Sequence, residues 1–112
     1  MADVDIREER PVLTTLAALT AVSVEACELE ERDLMLARIA ALAAVGAPPA
    51  SYLLNAGAAS DVGLTLEDVQ GILTAVSPII GTPRTLLAAG NITRALGFAL
   101  AVLEAELEDQ PT

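Results

Sequence analysis

Arg38, Arg84 and Arg94 are the residues of this chain best placed to do chemistry, because each stands alone in apolar sequence. Residues 34–60 carry no charge except Arg38, and residues 69–103 carry none except Arg84 and Arg94. A guanidinium enclosed among apolar neighbours must be paired or hydrogen-bonded, so folding is expected to bring each one a carboxylate or a bound anion. Arg84, Asn91 and Arg94 follow one another at separations of seven and three residues, which places them on one stripe of a helix. Such a stripe suits the orientation of a small carboxylate. The competing reading has Arg84 and Arg94 bridging to Asp or Glu across a subunit interface, and Arg38 admits the same two readings.

Other chemistry is scarce. The 112 residues contain no histidine and no lysine, and Cys27 is the single cysteine. General acid/base and covalent catalysis therefore lack their usual carriers, and no catalytic residue is assigned. Cys27 cannot form an intramolecular disulfide, and its neighbours Glu25, Glu28, Glu30 and Glu31 make a negative setting that blunts a thiol as a nucleophile. The carboxylates do not cluster at ligand spacing, so neither a metal nor a cofactor is expected. A net charge of −10 repels phosphate backbones, and only Tyr52 and Phe98 offer rings for stacking on bases, which argues against nucleic acid as a partner. The acidic first ten residues lack the features of a secretory signal, and Asn91 and Arg94 interrupt the longest apolar stretch. A cytoplasmic protein without a membrane span is the expectation.

Helices must position these residues, since the apolar spacing has helical period and no convincing strand pattern. An acidic arm over residues 1–10 precedes one all-helical domain over 11–108 and a short tail over 109–112. Pro11 opens a first helix that runs to about Cys27. Glu30, Glu31 and Asp33 favour the start of a second, which carries Leu34, Met35, Leu36, Ile39 and Leu42 until Gly46 and Pro48-Pro49 stop it. Pro49 opens a third through Tyr52 and Ala56, ended near Gly57 or by Gly63. Thr65 and Asp68 form a capping-box pattern for a fourth helix from Leu66, which Ser77-Pro78 should end. Thr82 as N-cap and Pro83 as first residue then start a fifth, running to about Leu107.

Residues 95–103 have no polar side chain, so the middle of that last helix lacks a solvent face and requires enclosure by other helices or by a second subunit. Gly90 and Gly97, one heptad apart, permit close backbone approach there. With 54% apolar residues, the chain is expected to self-associate as an antiparallel all-α bundle of about five to six helices.

The segments Gly63-Leu-Thr-Leu-Glu-Asp-Val69 and Val76-Ser-Pro-Ile-Ile-Gly-Thr-Pro83 resemble a signature of the carboxymuconolactone decarboxylase and alkylhydroperoxidase-D-like superfamily, and residues 29–42 look like that family's helix before its active loop. The resemblance implies an all-helical fold that assembles as a trimer, hexamer or larger ring. Counting back from Gly63, the family's histidine position falls on Asn55 and its two cysteine positions on Pro48 and Ser51. An acidic residue of the decarboxylase branch falls near Met35. These residues supply neither a thiol pair nor a group that titrates near neutrality. Asn55 can donate to a ligand oxygen or simply end a helix, while Ser51 and Tyr52 can line the same cavity or pack in the core.

Two functions fit these features. One is a divergent member of the family, a homo-oligomer that assembles or binds a small carboxylate without catalysis. The other is an enzyme acting on a small carboxylate or lactone, with Arg84 and Arg94 as anion clamps and Asn55 as an electrostatic stabiliser.

Overall fold

The computed structural model describes residues 11–109, with the side chains of Phe98, Ala99, Val102, Leu103 and Asp109 outside that description. The acidic arm and the last three residues of the tail also lie outside it. Among the described residues there are five α-helices and no strand: α1 (Pro11–Ala26), α2 (Glu31–Val45), α3 (Pro49–Asp61), α4 (Leu66–Ile80) and α5 (Thr82–Asp109). The chain divides into two units, Met1–Glu30 and Glu31–Thr112. In α1, which carries no charge before Glu25, no residue is buried.

In the second unit α2 and α5 are the central pair, and each packs against the other as well as against α3 and α4. The buried face of α2 is Met35, Ile39 and Ala43, at four-residue spacing, and that of α5 is Ala88, Asn91 and Ala95, at three and four. Ala47, Tyr52 and Ile72 complete the core, with Leu36, Leu42, Leu53, Leu64 and Ile92 packed against it while half-buried. Alanine supplies much of this interior, so the helices approach closely through small residues.

The connections follow from helix-end chemistry. After α2, Gly46 adopts φ +71°, Gly46 N donates to Ala43 O at 3.3 Å, and Ala47 N donates to Leu42 O at 3.0 Å. After α3, Gly63 repeats the device at φ +77°, with Gly63 N donating to Ser60 O and Leu64 N to Ala59 O, both at 3.0 Å. Both are Schellman motifs, in which a left-handed residue lets its own amide and the next one reach back to orphan carbonyls. The expected third helix therefore ends at the second of its two candidate glycines.

Two residues past Gly63, Thr65 starts α4 with the full capping box. Its hydroxyl accepts from Asp68 N at 3.2 Å, and the Asp68 carboxylate accepts from Thr65 N at 2.9 Å. The same carboxylate takes a 2.8 Å hydrogen bond from Arg32 at the start of α2, which ties the first turns of the two helices together.

One boundary differs from the sequence expectation. The fourth helix does not stop at Ser77-Pro78 but continues to Ile80, with Pro78 inside it. Proline removes the amide that would reach Thr74 O, four residues back. Ser77 Oγ supplies the missing donor, at 3.0 Å from that same carbonyl. Gly81, at φ +87°, then ends α4, and α5 begins at Thr82 with Pro83 in its first turn.

Arg32, and after it the Thr65 backbone, hold the Asp68 carboxyl at about 2, against an ordinary 3.8. A depressed folded-state pKa contributes stability that is fully present above pH 3.8 and is lost as the pH falls through about 2. Denaturant melts across this window are expected to show a shallower loss of stability for Asp68→Asn than for the unmodified chain, with the two curves converging at the acid end.

Candidate functional site

The second unit holds a cavity of about 240 Å³ among α2, α3, α4 and α5. Ile39 of α2 and Tyr52, Asn55, Ala56 and Ala59 of α3 form part of the wall. Leu64, Thr65, Leu66 and Val69 contribute from the α3–α4 turn and α4, and Ile92, Ala95 and Leu96 from α5. The volume exists because α3 presents alanines where larger side chains would fill the space. Leu66 and Leu96 are about half exposed, so the cavity has an apolar rim open to solvent.

Its polar groups are few and mostly committed. The Thr65 hydroxyl belongs to the capping box. Asn55 Nδ2 donates to Ser51 O one turn back at 2.9 Å, which leaves Oδ1 as an acceptor without a partner among the described residues. Tyr52 is buried, its hydroxyl makes no hydrogen bond among the described residues, and burial pushes its pKa above 10. Among the described residues no carboxylate, thiol or guanidinium lines the cavity. The wall therefore offers, among the described residues, hydrophobic contact, the Asn55 amide oxygen and the Ser60 hydroxyl, with no acid or base that titrates near neutrality.

The residues singled out in the sequence fall into two groups. Tyr52 and Asn55 line the cavity, and Ser51 takes part through the carbonyl that holds Asn55. Arg38, Arg84, Asn91 and Arg94 are not part of its wall. Arg84, Asn91 and Arg94 do share a stripe of α5, but what that stripe meets is the end of α2. Arg84 Nη1 donates to Ala44 O at 2.7 Å, and Asn91 Nδ2, buried, donates to Ala47 O at 3.0 Å. Arg94 Nη1 donates to Asn91 Oδ1 at 3.3 Å and so fixes the amide orientation.

In the single chain Arg84 and Arg94 are exposed and Arg38 is half-buried on α2. A cation at the C-terminal end of α2 also meets the negative pole of the helix dipole. Sequence reasoning missed the alanines Ala56 and Ala59 as cavity-forming residues. The available signal was the run of small side chains from Ala56 to Ala59 in an otherwise apolar helix.

The described residues define an all-helical protein with a small, mainly apolar cavity. No protein-family model, no curated protein and no solved structure matches the chain. Among the described residues no group of histidine, cysteine or carboxylate side chains stands close enough to hold a metal, and no helix is long and apolar enough to cross a membrane.

Removing the Asn91 amide strands the buried Ala47 carbonyl, which costs roughly 1–3 kcal/mol. Asn91→Ala is therefore expected to lower the unfolding free energy by that order in denaturant titration, with an unchanged slope. Tyr52→Phe should do the opposite. It deletes a buried hydroxyl that has no partner and keeps the ring, so the same titration is expected to show stability unchanged or raised by about 1 kcal/mol.

Proposed function

We propose that this protein is a non-catalytic, homo-oligomeric binding protein of the cytoplasm whose cavity takes a small, uncharged, mainly apolar molecule. The observation that carries the reading is the composition of the cavity wall among the described residues, which is mainly aliphatic, with Ser60, Thr65, Tyr52 and Asn55 as its polar side chains and no ionised group. Of the two ligand classes raised by the sequence, a carboxylate would enter this chamber without a cation to meet it, at a desolvation cost of several kcal/mol. The arginines meant to clamp it are directed at Ala44 O and Asn91 Oδ1. An apolar molecule gains from the same wall at about 25 cal/mol per Å² buried, and Asn55 Oδ1 is available to accept one hydrogen bond from it.

The resemblance to the carboxymuconolactone decarboxylase and alkylhydroperoxidase-D-like superfamily supports descent from a helical, assembling ancestor. The family's catalytic positions, here Pro48, Ser51 and Asn55, support a binding role rather than turnover. Half-exposed leucines on α5 and the apolar exterior of α1 favour self-association.

Toluene and benzoate differ mainly in charge and make a direct comparison. Toluene at a hundred times its dissociation constant is expected to raise the unfolding free energy by about 2.7 kcal/mol, benzoate to have no comparable effect, and Ala56→Phe to abolish the toluene response. Equal or tighter binding of benzoate, or no response to toluene, would overturn the reading.

A further inference from the structure

The face of α5 turned away from the bundle has a pattern of its own. Its core-facing residues are Ala88, Asn91 and Ala95, and on the opposite side run Leu86, Gly90, Thr93, Gly97, Leu100 and Glu104. These six are spaced by four, three, four, three and four residues, the alternation that keeps a seam in register with a second helix. All are exposed, Leu86 at 67% and Leu100 at 51%, and a Cβ built on Gly90 or Gly97 meets nothing within 4 Å. No member of the seam from Leu86 to Leu100 is ionised.

We infer that this seam is the contact between two copies of the chain, which cross antiparallel about a two-fold axis at Thr93. This rests on the homo-oligomeric part of the reading above and goes beyond it by naming the surface.

Two features select a second copy, and this direction, as the occupant. First, the seam is self-complementary. Leu86 and Leu100 lie seven residues on either side of Thr93, so an antiparallel partner sets each leucine against the other's counterpart. The glycines near the centre let the backbones approach where the axes cross. Second, charge favours this direction over the parallel one. Parallel helices would stack Glu104, Glu106 and Glu108 of both copies in a chain already at −10. Antiparallel helices separate these ends and bring Glu104, eleven residues after Thr93, opposite Thr82, eleven before it, at the positive N-terminal pole of the partner's α5. A two-fold contact of this kind builds dimers, or hexamers together with a second interface, but not a lone trimer.

Sedimentation equilibrium of the full chain tests this. The unmodified protein is expected to associate, and Leu86→Glu with Leu100→Glu to raise the dissociation constant by at least about 100-fold. Because both leucines are exposed, helicity by circular dichroism should be retained. In a Cys27→Ser background, Thr93→Cys is expected to cross-link two copies rapidly on oxidation, whereas Leu87→Cys, away from the seam, should not. An unmodified chain that is monomeric at micromolar concentration would overturn both the oligomeric reading and the seam. An associated chain that ignores the paired glutamates, fails to cross-link through position 93 and dissociates with Leu13→Glu and Leu19→Glu would overturn the seam alone and move the interface to α1.

Discussion

The C-terminal end of α2 is the constraint on which the rest of the bundle depends. A helix leaves its last carbonyls without intrahelical donors, and where such an end packs against neighbours they need partners other than bulk water. The Gly46 turn supplies amides to Leu42 and Ala43, and α5 sends Arg84 to Ala44 and, just past the helix end, Asn91 to Ala47. These bonds join segments forty and forty-four residues apart. They fix the rotation of α5 about its own axis, which decides which face carries Ala88 and Ala95 into the core and which is left outside. The cavity and the exposed face opposite both follow from that rotation.

The segment that carries the family resemblance has a local explanation that involves no chemistry of a site. Gly63 ends α3 in a Schellman motif, and Thr65 with Asp68 begins α4 in a capping box. Glycine, threonine and an acidic residue at these spacings are what a tight helix-to-helix connection requires. The later segment is similar, with Ser77 restoring the bond that Pro78 removes and Gly81 turning the chain into α5. A motif built from helix punctuation speaks to connectivity, and the activity of a helical protein resides in side chains that face its interior.

Charge and volume are segregated along this chain in a way that shapes what the interior can hold. The carboxylates lie at helix ends, in the connections and in the terminal segments, leaving the middle of α3 and most of α5 without any. Small residues on α3 set against larger ones on α4 and α5 leave a chamber instead of a filled core, and among the described residues Tyr52 is the only ionisable side chain in its wall. The low polarity of that chamber raises the Tyr52 pKa and also makes an anion a poor occupant.

Helix identity was legible in the sequence because it depends on neighbours a few residues apart. Periodicity, Pro11, Pro49, the glycines and the Thr65-Asp68 pair determined five helices, with only the Pro78 boundary misplaced by three residues. That error is physical, since the proline's missing donor is replaced by the side chain beside it, a geometry that composition does not announce. The stripe of Arg84, Asn91 and Arg94 was equally legible, as was the lack of a histidine and of a second cysteine. What the stripe faces was not, because a guanidinium binds a carboxylate, an anion or a backbone carbonyl with the same donors. Tertiary structure alone turned it to the end of α2, left the arginines exposed and put Tyr52 and Asn55 against a separate apolar space. Those outcomes depend on how far apart four helices sit, a distance set by side chains tens of residues apart in sequence.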